Sequence, residues 1–212
     1  MTARDAQIPP AAYLDPAIFA EEQRRLFRGQ WQPVAMLSDL GSRNDFVVAS
    51  VGGREVVIQN FGGSLGAFTN ACPHRFSAIQ TAPRGNRVLQ CPYHRWTFDS
   101  EGLPSTIPLR DDYACLDAEA PGERRLERWH LEVCGQMVFV CQASAPVPLR
   151  DHLGNLYEWI AAVTDALGHE IEGFETVMQP TGRSSCRTRW NSATCSRCIP
   201  RPSVRWWICR CA

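Results

Sequence analysis

The sequence predicts a mostly β fold: a small antiparallel β domain flanked by helices, followed by the start of an incomplete α+β domain. Three observations carry this. Short β-branched runs, DFVVASV, REVVIQN and SLGAFTN, are separated by Gly52-Gly53 and Gly62-Gly63, the punctuation of hairpins. Helical periodicity occurs only on either side of this region, in PAIFAEEQRRLFRGQW and NLYEWIAAVTDAL. No apolar run approaches the roughly 20 residues of a membrane span.

The first helix starts at Asp15-Pro16, an N-cap residue followed by proline at the first helical position, and ends at Gly29. Ile18, Phe19, Leu26 and Phe27 fall roughly on one face of it. From Trp31 the texture turns β, through the Gly-separated runs. RVLQ, residues 87–90, reads as a strand, WTFDSEGLP as a strand and turn, and WHLEVCGQMVFVCQ as a further strand or pair of strands. The second helix, 155–167, sets Leu156, Trp159, Ile160, Val163 and Leu167 at helical spacing, and GFETV begins another strand. The resulting division is a helical lead-in over 1–30, a β domain over 31–145, the start of another domain over 146–182, and an atypical tail over 183–212.

Composition narrows the function classes. The 212 residues carry 22 arginines, no lysine and 22 acids, for a net charge of zero. The average hides a split: beyond Glu175 there are seven arginines and not one acid. Ten cysteines are present, none before Cys72, and five of them (Cys186, Cys195, Cys198, Cys209, Cys211) crowd the last 27 residues. A secreted disulfide scaffold would spread its cysteines along the fold and start with a signal peptide. MTARDAQIPPAAYLD has no basic stretch leading into an apolar one. A cytoplasmic protein that uses some of its cysteines as metal ligands is expected, with no nucleic acid or membrane as partner.

The chemistry concentrates in CPHRFSAIQTAPRGNRVLQCPYH, residues 72–94. It holds two knots, Cys72-x-His74 and Cys91-x-x-His94, with proline after each cysteine. Zinc sites built from paired ligands favour two cysteines in one knot. One Cys and one His from each knot is instead what a Rieske [2Fe–2S] centre requires, with two thiolates on one iron and two imidazoles on the other. Cys72 and Cys91 would then share one iron, His74 and His94 its neighbour. Replacing thiolates by neutral imidazoles raises the potential, broadly to about −150 to +300 mV. A structural Cys₂His₂ zinc site remains the bland alternative.

Residues 13–110 resemble the N-terminal part of Rieske non-haem iron oxygenase α subunits, the terminal oxygenases of ring-hydroxylating dioxygenases and related monooxygenases. YLDPAIFAEEQRRLFRGQWQPVA, GGREVVIQNFGGSLGAFTNACPHR and LQCPYHRWTFDSEGLP carry the resemblance, and WHLEVCGQMVFV more weakly. Membrane-complex Rieske proteins differ in having an extra, disulfide-forming cysteine in each loop. Here Ser77 and Tyr93 stand in that neighbourhood. Phe76 departs from the small residue common after CPHR.

The resemblance implies a Rieske-type β domain leading into a catalytic domain. In such enzymes a reductase, with or without an intervening ferredoxin, feeds electrons to the cluster. A mononuclear Fe(II), held by two His and one carboxylate in the second domain, then hydroxylates a small organic substrate with O₂. It also implies a homo-oligomer, trimeric in the family, or an assembly with a β subunit. Trp96 is expected to pack over the cluster, and Arg75 and Arg95 to screen it or meet the electron donor.

The family's iron pattern, N-x₂-D/E-x₂-H-x₄-H, is missing from the chain as written. His130, His152 and His169 are singletons, read as surface or packing residues. Where the pattern is expected stands RSSCRTRWNSATCSRCIPRPSVRWWICRCA. Cys195-x₂-Cys198 with Cys209-x-Cys211 would make a small zinc knuckle. A shifted reading frame accounts for more. Taking the third base of each codon with the first two of the next, Trp190-Asn191 must encode Glu. Arg187-Thr188 then allows Asn, and Ala193-Thr194 and Cys198-Ile199 allow His, which restores the pattern. The expectation is an α subunit that lost its frame between about Thr176 and Arg187 and is inactive as written. A stand-alone Rieske ferredoxin-like electron carrier is the second reading, and a zinc-stabilised structural domain the third.

Overall fold

The computed structural model describes residues 9–109 and 124–167, and the backbone of two further strands, Glu172–Val177 and Ser203–Ile208. Two units are separable, Arg25–Ala166 and a second made of Met1–Arg24 with Leu167–Ala212.

In the unit Arg25–Ala166 the strands are β1 (Gln32–Met36), β2 (Asp45–Val51), β3 (Arg54–Asn60), β4 (Leu65–Thr69), β5 (Arg84–Asn86), β6 (Thr97–Phe98), β7 (Pro104–Thr106), β8 (Arg128–Cys134) and β9 (Met137–Cys141). Seven form one antiparallel sheet in the order β1-β9-β8-β4-β3-β2-β5, and β6 pairs with β7. The paired glycines behave as their spacing predicts. Val51 lies opposite Arg54, so Gly52 and Gly53, with φ of 55° and 75°, make a two-residue loop of the left-handed kind that right-twisted strands favour. Between β3 and β4 the Asn60 side-chain oxygen accepts hydrogen bonds from the N–H groups of Gly62 (2.7 Å) and Gly63 (3.0 Å), closing the second hairpin.

The strand expected at 87–90 does not form. The carbonyls of Arg87 and Val88 accept instead from the side-chain amides of Gln59 and Gln80, and only Gln90 bridges to Thr97. Side-chain donors have taken the place of a neighbouring strand.

The seam with the fewest paired positions is β4 with β8, at Ala67↔Trp129 and Phe68↔Arg128. Side chains reinforce it: Arg54 holds the Glu127 carboxylate through both terminal nitrogens, Thr69 Oγ1 donates to it at 2.9 Å, and Gln142 Nε2 at 2.6 Å. Partial burial pulls the Glu127 carboxyl up, but the hydrogen bonds from Arg54, Thr69 and Gln142 outweigh it and leave the net pKa lowered. A carboxyl depressed in the folded state contributes stability above its unfolded pKa, and that contribution is lost as pH falls through the folded value. Glu127→Gln is therefore expected to lower the melting temperature at pH 7, with the gap to wild type closing below about pH 4. A constant gap in thermal melts across that range would show that charge is not what the seam uses.

The helices α3 (Leu149–Leu153) and α4 (Leu156–Asp165) complete this unit. The α4 stripe is rotated from the one the spacing predicts. Tyr157, Ile160 and Ala161 pack into a core with Trp31, Cys134, Phe139, Cys141 and Leu149, while Leu156, Trp159 and Val163 are exposed. The reason is local: Tyr157 Oη donates to the Val133 carbonyl (3.3 Å), Cys134 Sγ to the Tyr157 carbonyl (3.2 Å), and Ala161 is small enough to sit against Gly135. A second core fills the sheet with Val34, Val47, Val56, Ile58, Val138 and Val140 among others. A third, with Phe46, Phe68, Ile79, Leu89, Trp96, Phe98 and Leu126, lies directly beneath the two cysteine knots and includes Cys72 and Cys91.

In the second unit α1 (Ala11–Leu14) precedes α2 (Pro16–Glu22). Asp15 caps α2 as its position predicts, accepting from the Ala17 N–H at 2.8 Å with Pro16 next in line. A π-helical turn, Gln23–Arg28, follows on from α2, and its residues from Arg25 onward belong to the unit Arg25–Ala166. Its wider winding breaks the expected stripe, and Leu26 is exposed. The GFETV strand is present as β10 (Glu172–Val177), paired antiparallel with β11 (Ser203–Ile208) from Glu172↔Ile208 to Val177↔Ser203. Apart from that backbone, the frame reading, the knuckle cysteines and His169 lie outside the described residues.

Candidate metal centre

Both knots are built on one loop design. In the first, the N–H of Cys72 donates to the Ser77 carbonyl (2.8 Å) and that of Phe76 to the Cys72 carbonyl (2.7 Å). In the second, the N–H of Cys91 donates to the Trp96 carbonyl (2.8 Å) and that of Arg95 to the Cys91 carbonyl (2.9 Å). Each loop thus closes over the same span from its cysteine, with the fourth residue after it in the left-handed region: Phe76 at φ 57° and Arg95 at φ 59°. On this shared frame His74 occupies the second position after its cysteine and His94 the third.

The loops bring like donors together. Cys72 and Cys91 are buried at 2 % and 1 % exposure in the same core cluster, and each thiol acts on the other. The His74 and His94 rings are 4.5 Å apart between centroids, inclined at 61°. Burial, reinforced by the Cys91 side chain and opposed by backbone N–H groups of the loop, pushes the Cys72 thiol up to about 11. Burial first, then the charges of His94, Arg75 and Arg124, lowers the His74 pKa, which favours the neutral imidazole, whose one unprotonated nitrogen can act as a ligand. His130 and His152 stand exposed elsewhere, as their isolation in the sequence predicts. Among the described residues no three His, Cys, Asp or Glu side chains gather as a single-ion site would require.

What holds the loops in place was missed at the level of motifs. Asn70, 4 % exposed, precedes the first knot; its side-chain oxygen accepts from the N–H groups of Ile79 (3.1 Å) and Gln80 (2.9 Å), and its Nδ2 donates to the Gln80 carbonyl (2.8 Å). Gln80 Nε2 donates to Gln59 Oε1 (3.1 Å), Gln59 Nε2 to the Arg87 carbonyl (2.9 Å), and Arg87 Nε to Gln80 Oε1 (2.9 Å). This buried network joins the exit of the first loop, the approach to the second, and β3. The available signal was two glutamines and an asparagine placed where apolar residues are the norm.

Trp96 reaches across the loops. It belongs to the second loop, yet it stacks on His74 of the first. At the outer surface Phe76 and Tyr93 are 81 % and 60 % exposed, beside the exposed Arg75 and Arg95.

Residues 30–117 match the family model of the Rieske [2Fe-2S] domain. The chain carries a Rieske domain. Its cofactor is the [2Fe–2S] cluster, and the relatives reported below are Rieske oxygenase α subunits. The Rieske chain is 30 % identical over 161 residues to the glycine betaine monooxygenase oxygenase subunit of Chromohalobacter salexigens, covering 74 % of itself and 35 % of that protein. It is 29 % identical over 163 residues to the anthranilate 1,2-dioxygenase large subunit of Burkholderia cepacia, covering 73 % of itself and 38 % of the relative. Among solved structures, the quaternary ammonium Rieske monooxygenase CntA in complex with γ-butyrobetaine superposes with a TM-score of 0.72 at 25 % identity, over 82 % of this chain and 50 % of that one. The Rieske chain therefore spans between a third and two fifths of the length of these curated relatives. No helix among the described residues is long and apolar enough to cross a membrane.

Proposed function

We propose that Cys72 and Cys91 hold one iron of the cluster, and His74 and His94 the other, in the α subunit of a Rieske-type mono- or dioxygenase. The observation that carries this is the pairing of like donors: thiol beside thiol in the core, imidazole beside imidazole nearer the surface. The cluster supplies one-electron transfer; the chain supplies its protection and its access. The cysteine side is sealed by Phe46, Phe68, Ile79 and Leu89, which keeps water from the sulfurs. The histidine side faces out, so electrons arrive and leave through the imidazoles.

In this reading the donor is a reductase, directly or through a ferredoxin, and it docks where Arg75 and Arg95 flank the exposed Phe76 and Tyr93. Two guanidiniums beside aromatic surface suit an acidic partner. The acceptor is a mononuclear Fe(II) site in a catalytic domain that starts near residue 146, used for O₂-dependent hydroxylation of a small organic substrate. Cytoplasmic location and assembly into an oligomer belong to the same reading. Glycine betaine, anthranilate and carnitine in relatives' names bracket the substrate class without choosing within it.

Anaerobic reconstitution with iron and sulfide tests the ligand set. Two irons and two acid-labile sulfides per chain are expected, with a Rieske-type electron paramagnetic resonance signal on reduction. His94→Ala and Cys91→Ser are each expected to abolish that signal. Stoichiometric zinc without sulfide would replace this reading with a structural zinc site.

A further inference from the structure

We propose that Trp96 is a positioning residue of the centre: its indole fixes the ring plane of His74, and of His74 alone, so the two imidazoles of one iron are held unequally. The ring torsion of a histidine has a broad minimum, so the rotamer does not set the plane of an imidazole; contacts must. For His74 that contact is present. The indole of Trp96 lies 5.0 Å from it between centroids, with the planes only 2° from parallel. Trp96 is itself fully buried, and its carbonyl accepts from the N–H of Cys91, which anchors it in the second loop. The Arg124 guanidinium lies 5.7 Å from the indole centroid, and gives the ring a further contact.

Among the described residues His94 has no comparable wall. Its ring meets His74 at 61° and Tyr93 at 4.2 Å with a tilt of 43°, and Tyr93 is 60 % exposed. A solvent-facing tyrosine does not confine a ring as a buried indole does. The asymmetry matters because the plane of a ligating imidazole governs how its π system meets the metal orbitals, and so the anisotropy and potential of the iron it binds. It also leaves the less confined imidazole beside the exposed Tyr93, where a partner would meet it. The loops share one backbone design but set their histidines at different positions on it, and the indole reaches only the one at the second position.

The inference rests on the cluster reading above, and the experiment separates the two. The full chain is labelled with ¹⁵N-histidine, loaded with iron and sulfide, reduced, and measured by electron–nuclear double resonance. In wild type, two histidine nitrogen couplings are expected, one narrow and one broad. Trp96→Leu is expected to broaden the narrow coupling and shift the reduction potential, and Trp96→Phe, which keeps a flat ring, to restore the narrow line. Two couplings of equal width in wild type, or a Trp96→Leu spectrum identical to wild type, would overturn the proposal. If Trp96→Leu does not load, the wild-type widths and Trp96→Phe decide it: a Trp96→Phe protein with both couplings broadened alike also overturns it. A wild type that takes zinc, or iron without sulfide, defeats the cluster reading and this inference with it; loading with equal couplings defeats only this one.

Discussion

Asn70→Ala is expected to destabilise the Rieske domain by about 3 kcal/mol, because it leaves several buried polar groups without partners at once. The side-chain oxygen of Asn70 satisfies two backbone N–H groups, of Ile79 and Gln80, and its nitrogen serves the Gln80 carbonyl and the Glu55 carboxylate. Alanine removes all four bonds from a site that is 4 % exposed. Each orphaned group costs roughly 1–3 kcal/mol, offset in part where water can enter. The consequence reaches the metal centre, since Ile79 and Gln80 close the first knot and Gln80 is bonded through Gln59 and Arg87 to the approach of the second. Faster iron release to a chelator is therefore expected alongside the drop in stability. Urea unfolding of the apo chain and iron-release kinetics of the loaded one check both halves. An unchanged unfolding midpoint would mean that the network is ornamental.

Gly135→Ala is expected to cost a similar amount, about 3 kcal/mol, for a steric reason. Gly135 turns β8 into β9 at φ 57°, which any side chain adopts with strain. A Cβ built there would lie 2.1 Å from Thr164 Oγ1, 2.8 Å from Ala161 Cα and 2.9 Å from the Ala161 carbonyl oxygen. Two of these are backbone atoms of α4, so relief requires the helix to move away from the hairpin. Moving it would break the bond from the Gln136 N–H to Thr164 Oγ1, 3.0 Å, and expose Tyr157 and Ile160. Thr164→Ala removes the side-chain clash, gives up the Gln136 bond and leaves the backbone clash in place, so it should rescue Gly135→Ala in part, never fully. Full rescue in thermal melts would place the whole penalty on the hydroxyl and contradict the close backbone approach.

Much of the fold was legible in sequence because its signals are local. The Gly-Gly pairs mark hairpin loops that the chain makes with its nearest neighbours, and Asp15-Pro16 caps a helix within two residues. The two knots were legible for a similar reason: a cysteine, a proline and a histidine close together mark a stiff loop that carries two side chains able to bind metal. The errors fall where distant residues intervene. RVLQ has strand-like composition but loses its ladder to Gln59 and Gln80, whose approach depends on the folding of β3 and the first knot. The α4 stripe is ambiguous in sequence, since Leu156, Trp159 and Val163 have periodicity as good as that of Tyr157, Ile160 and Ala161. The tight passage at Gly135 selects the face with the small residue.

The sequence by itself determined the hairpin order, the two loops and the cysteine and histidine pairs they carry, because each depends on chemistry within a few residues. Only the tertiary structure decided which donors face each other, that Asn70 and two glutamines clamp the loop bases, and that an indole from one loop steadies the imidazole of the other. Those relations join residues far apart in the chain across a folded core, and no spacing along a sequence carries the angle between two rings.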